Sequence, residues 1–177
     1  MAEDKKSPGS GDEWATDRVS EKIGILVRRE TEARVLIPVI QALGERFGRE
    51  AVIETVAATI AAIAREQGQE LAQFMGDDTP GAFEDSLDLW TRDNALEIEV
   101  KEISDTCLAF DVTRCRYAEM YEALGAKDLG AVFSCNRDAA LIEGFNPGAR
   151  LKRTRTIMAG DGICDFVYTF PQKDPQD

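Results

Sequence analysis

The period of the apolar residues changes near residue 95, and that change restricts the fold more than any other feature of the chain. Upstream, Ile23, Val27, Leu36, Ile40, Leu43 and Phe47 are read as one face of a helix. Pro38 interrupts this run and either kinks one long helix or opens a second. Gly48 is the expected break, and Val52, Val56, Ile60, Ile63, Leu71 and Phe74 mark a further helix. Thr79 and Pro80 have the form of an N-cap followed by proline at the first helical position. Phe83, Leu87 and Trp90 follow on a short helix.

Downstream the period falls to two. Leu96, Ile98 and Val100 alternate with Glu97, Glu99 and Lys101, and Leu108, Phe110 and Val112 alternate with Cys107, Ala109 and Asp111. These are two strands of an antiparallel hairpin turning near Ser104 and Asp105. Tyr117, Met120, Tyr121 and Leu124 mark a helix ended by Gly125, and a second helical stretch to Glu143 is expected to break near Cys135. Leu151, Arg153, Arg155 and Ile157 alternate as in a strand, and Gly160-Asp161-Gly162 turns the chain into a last strand, Ile163 to Phe170. The expected class is α+β, a helical N-terminal half packed on a C-terminal antiparallel sheet flanked by helices. The expected divisions are a disordered leader over 1–16, a helical region over 17–92 and an α+β domain over 93–177.

A chain of 177 residues can bury a real core. With 21 Lys and Arg against 33 Asp and Glu, the net charge is −12. Such a surface repels nucleic-acid phosphates and anionic lipid, so neither is an expected partner. The apolar stretches stay well below the ~18 residues that span a bilayer. The charged, Gly/Ser/Pro-rich start lacks the apolar centre of a signal peptide. A cytoplasmic protein with reduced thiols is expected, and a homo-oligomer is compatible with this composition.

Histidine is absent. That removes Ser-His and Cys-His pairs and every metal site built on imidazole. Chemistry then concentrates in three stretches, Arg114-Cys115-Arg116, Ser134-Cys135-Asn136-Arg137-Asp138 and Gly162-Ile163-Cys164-Asp165-Phe166. Each sets a cysteine beside charge, where a thiolate can be stabilised. Three uses are open: packing, a nucleophilic thiolate at Cys115, Cys135 or Cys164, or a zinc site of those three cysteines completed by Glu119 one helical turn after Cys115. Cys107 reads as a small core filler. Asp138 and Asp165 are the candidate proton carriers if burial raises them. Arg153 and Arg155, on one face of the expected strand, suit a substrate carboxylate, or a solvated face pairing with acids. Asn146, in Gly144-Phe145-Asn146-Pro147, is a turn residue or a substrate contact.

The segment from Asp111 to Tyr121, Leu129-Gly130 with Ser134 to Asp138, Gly144 to Pro147, Arg153 to Met158 and Cys164-Asp165-Phe166 occur in an ordered series. With Arg29 to Arg34 and Pro38, the series resembles the L-2-aminothiazoline-4-carboxylic acid hydrolase family over most of residues 25 to 170. The resemblance implies a bacterial enzyme that opens a carboxylate-bearing cyclic amidine or thiazoline at a non-peptide C–N bond, by adding water to a C=N carbon. A carbamoyl amino acid would be the product class. The family pattern carries His before the last cysteine, where this chain has Ile163. Gly160 to Phe166 also resembles the zinc-binding turn of 4-vinyl-reductase-type ligand-binding domains. That likeness supports an alternative, a small-molecule binding or sensing module with a structural zinc and no turnover.

Overall fold

The computed structural model describes residues 23–172, so the leader expected over 1–16 lies outside the described residues. Two long helices lead, α1 (Ile25–Phe47) and α2 (Arg49–Met75). Gly48 alone separates them, at a φ of 92° that favours glycine. Pro38 lies inside α1, which runs through it without ending.

The buried stripe of α1 is Arg29, Ala33, Ile37 and Ile40, at steps of four, four and three residues. Of the face expected from sequence, Ile23, Val27, Leu43 and Phe47 are exposed. In α2 the buried residues are Ile60, Ala64, Gly68 and Leu71, while Ile63 and Phe74 face outward. The buried stripes thus include the small Ala33, Ala64 and Gly68, while several larger apolar residues face outward. Thr79 caps α3 (Pro80–Ser86), its hydroxyl accepting the Ala82 N–H at 3.3 Å. The short α4 (Asp88–Thr91) follows.

Strands β1 (Leu96–Ser104) and β2 (Cys107–Cys115) form the expected hairpin, with register irregularities after Glu97 and Val100. Helix α5 (Arg116–Ala123) starts directly from β2, and α6 (Lys127–Gly130) follows. A π-helical turn, Ala131–Cys135, then leads into α7 (Asn136–Phe145). Strand β3 covers only Arg150–Lys152, and β4 covers Cys164–Thr169. All pairings are antiparallel, in the order β1-β2-β4-β3. This is the α+β architecture expected, with helices covering a four-stranded sheet.

The strand expected to run from Leu151 to Ile157 stops at Lys152. The backbone N–H groups of Thr154 and Arg155 turn to the Asp165 carboxylate, at 2.9 and 2.6 Å, instead of continuing the ladder. A 3₁₀ turn, Ile157–Ala159, follows.

One sheet face is buried. Leu108, Phe110 and Val112 stand opposite Tyr168, Phe166 and Cys164. The Phe110 and Phe166 rings stack at 4.9 Å. This face, with Leu71, Phe83, Ile142 and Phe145, makes one core cluster. The other joins Ala33, Ile37, Ile40 and Ile60 to Tyr117, Tyr121, Leu129, Phe133 and Met158. Both clusters draw residues from either side of residue 92. Leu96, Cys115 and Ile157 pack against both and mark the seam between them. No helix among the described residues is long and apolar enough to cross a membrane.

Helix α2 crosses α7 at backbone contact. A Cβ added to Gly144 would collide with the Arg65 carbonyl oxygen, and one added to Gly68 with the Leu141 carbonyl oxygen. Gly144→Ala must therefore push two helices apart. It should destabilise the protein by about 1–3 kcal/mol, the ordinary cost of overpacking, read as a lower denaturant midpoint. An unchanged midpoint would show that the crossing relaxes freely.

Candidate functional site

The π-helical turn shapes the site. Its extra residue shifts the helical phase between Phe133 and Asn136, so that Phe133 is buried while Arg137 turns to Gln67 of α2 and Asp138 to Arg153. Asn136 anchors the start of α7 by donating to the Ala57 carbonyl of α2 at 2.8 Å.

Asp138 lies at the centre. Its carboxylate forms an ion pair with Arg153, and the side chain keeps 31% of its surface accessible. Arg153 also donates to the Cys135 carbonyl at 3.1 Å and lies over the Phe166 ring at 4.9 Å. The arginine thus ties α7 to the segment after β3 and to the buried sheet face. Burial pushes Asp138 up, and Arg153, Arg137 and Arg29 oppose it; the net shift is upward from the ordinary aspartate value. Asp138 is in electrostatic reach of Cys115, Cys135 and Cys164, which also feel one another. The three cysteines singled out in the sequence therefore converge on Asp138 and Arg153 from β2, the π turn and β4.

The sulfurs are thiols at neutral pH. Burial pushes Cys115 up to about 11 and Cys135 up to about 12, and raises Cys164 as well. For Cys115, N–H groups of Ala118 and Tyr117 at the start of α5 act in the opposite direction without overcoming burial. The thiolate expected beside basic neighbours is not stabilised, because desolvation outweighs them. Cys164 Sγ accepts the Ile157 N–H at 3.2 Å. Cys107 sits on β2 away from this group, half-buried, and burial raises it too.

The remaining candidates are placed elsewhere. Glu119 is exposed on α5 and binds Arg114 at 2.8 Å. It borders a hollow of about 260 Å³ that Cys115, Thr113 and Ile157 also line. No group of three or more Cys, Asp and Glu side chains among the described residues is arranged to hold a metal ion. Asp165 accepts two backbone N–H groups and the Thr154 hydroxyl, the latter at 2.5 Å, with Arg155 3.6 Å away. The Thr154 hydroxyl and those N–H groups hold its carboxyl well below the usual range, so it is a turn clamp and stays ionised. Arg155 is exposed and does not share a face with Arg153, because the strand that would align them ends at Lys152. Asn146 is buried and donates to the backbone and side chain of Asp78, each at 3.1 Å, while its Oδ1 accepts the Gly148 N–H. It latches the turn before α3 to the turn after α7.

Four side chains at this centre were not singled out from sequence. Arg29 and Arg137 are 7% and 8% exposed, and the Tyr121 hydroxyl lies 3.0 Å from Ser134 Oγ. The Tyr117 hydroxyl is buried, has no hydrogen-bond partner among the described residues, and lies in electrostatic reach of Arg29, Cys115, Tyr121 and Asp138. A signal existed for Arg29, a charged residue at four-residue spacing from Ala33 and Ile37. None marked Tyr117, since a buried tyrosine is ordinary until its hydroxyl is found unpaired.

Fold and site together define an α+β protein with a carboxylate, guanidinium and thiol centre between helices and sheet. Residues 28–168 match the family model described as L-2-amino-thiazoline-4-carboxylic acid hydrolase, and the chain belongs to that family, as its motifs suggested. No curated protein matches the chain.

Two outcomes follow from the site's electrostatics. In the native protein at neutral pH, Cys115, Cys135 and Cys164 should react with iodoacetamide far more slowly than in the unfolded chain, followed by mass spectrometry; one fast native thiol would reverse the assignment. Asp165 has a depressed folded value, so its stabilisation is present above the unfolded value, ~3.9, and lost as pH falls through the folded one. Asp165→Asn should lower the melting temperature at neutral pH, with a deficit that shrinks below pH ~4.

Proposed function

We propose that this chain hydrolyses a C–N bond in a small carboxylate-bearing heterocycle, of the cyclic amidine or thiazoline type. Family membership supports the reaction class. The observation that carries the site is the position of Asp138, partly accessible, raised by burial and held by Arg153.

In this reading Asp138 is the general base. Water adds to the ring C=N carbon while Asp138 accepts one of its protons and passes it to the ring nitrogen. The second proton follows when the ring C–N bond breaks, leaving a carbonyl on the carbon and an amine on the former ring atom. Arg153 positions the Asp138 carboxylate and opposes the upward push of burial. The three neutral thiols and the aromatic sheet face form a dry wall that strengthens these charges. The raised thiols favour water over a cysteine as the attacking group.

Ring opening on a panel of cyclic amidine and thiazoline carboxylates tests the reaction. Asp138→Asn should lower kcat about 100-fold or more, the scale of a lost general base. The parental rate should rise with pH along a limb whose inflection lies above the ordinary aspartate value of ~3.9, because a base works in its deprotonated form. A limb at thiol values, abolished by Cys115→Ser or Cys135→Ser and kept by Asp138→Asn, would transfer the role to sulfur. Stoichiometric zinc on elemental analysis, lost in the cysteine variants of a protein with no turnover, would replace the hydrolase by the zinc-bearing binding module.

A further inference from the structure

Away from Asp138, a second pocket of about 230 Å³ opens between α1, α2 and the π turn, lined by Arg28, Arg29, Glu32, Ile63, Tyr121 and Arg137 among others. Among the described residues of its lining, the buried Arg29 and Arg137 face one carboxylate, Glu32, which binds Arg28 at 2.8 Å and also Arg29. Arg137 donates to Gln67 at 2.8 Å and forms no ion pair among the described residues. Two buried arginines beside each other in a protein of net charge −12 are costly unless an anion completes them. Burial and the neighbouring Arg29 lower Arg137 to about 10, in line with that cost. The rest of the wall is apolar, with Ala33, Leu36, Ile60 and Phe133. Arg137 directly precedes Asp138 in the chain, and Arg29 and Arg137 both act electrostatically on its carboxylate.

We propose that Arg29 and Arg137 form the subsite for the substrate's carboxylate, with the apolar wall against the ring. This rests on the hydrolase reading for the identity of the ligand. It moves carboxylate recognition from Arg153 and Arg155, which serve Asp138 and Asp165, to residues that have charge to spare.

The test is calorimetric titration of the full chain with thiazolidine-4-carboxylate, a saturated ring without the C=N bond, and with its carboxamide. The carboxylate should bind the parent at least about tenfold tighter than the amide, the low end of a charged hydrogen bond. Ile63 is 41% exposed on the pocket rim, so Ile63→Glu adds a competing carboxylate at a position that tolerates it. That variant should lose the preference, while Ile63→Gln keeps it. Arg137→Gln should lose the preference too. A parent that does not distinguish acid from amide would overturn the subsite, as would an Ile63→Glu variant that binds the acid like the parent. Ring opening on the same preparations separates the two readings. Charge discrimination without turnover leaves the subsite and removes the hydrolase, and turnover without charge discrimination does the reverse.

Discussion

Backbone contact between α2 and α7 at Gly68 and Gly144 is the constraint on which the rest of the structure depends. Helix α7 begins with Asn136, Arg137 and Asp138, so its distance from α2 decides whether these side chains reach the seam or stop short. Each glycine makes room for the other helix's carbonyls, and no larger residue would allow that approach. The Asn136 bond to Ala57 and the Arg65 to Glu143 ion pair at 2.9 Å hold the same crossing at both ends of its contact. The π turn sets the rotation of the helix, and the glycine crossing sets its depth. Position and phase of the candidate base come from these two features together.

Burial then decides the chemistry. The surface of this chain is strongly acidic, but its interior gathers Arg29, Arg137 and Arg153 around Asp138. Desolvation favours neutral forms, so it leaves sulfur protonated. The permanently charged guanidiniums cannot neutralise by this route and require counter-ions instead. Asp138 supplies one for Arg153, and Glu32 is shared by Arg28 and Arg29. In the proposed reading, a carboxylate raised by burial and held by arginine serves as the base of a centre without imidazole.

Much of this was legible in the chain. The change of period near residue 95 separated helices from the hairpin, and Thr79-Pro80 marked a helix start that the structure keeps. The motif series identified the family, and the three cysteine stretches do meet. Other readings failed for physical reasons. Apolar side chains suggested a face of α1 of which the structure buries Ile40 but leaves Val27, Leu43 and Phe47 in solvent, because the side turned to the core runs through Arg29, Ala33, Ile37 and Ile40. Alternation suggested a strand through Arg155, which the Asp165 clamp ended at Lys152.

The sequence by itself determined the α+β class, the family, the absence of imidazole and the residue types available for acid–base work. These depend on local period and composition, which short windows contain. Only the tertiary structure decided the roles. It made Asp165 a clamp and set Asp138 at the centre. It kept the sulfurs protonated, and it left Arg137 and the Tyr117 hydroxyl inside the protein without full partners. Burial and pairing are properties of neighbours brought from distant parts of the chain. Asp138 and Arg153 stand fifteen residues apart, and Arg29 and Arg137 are joined only by the folding of α1 against α7.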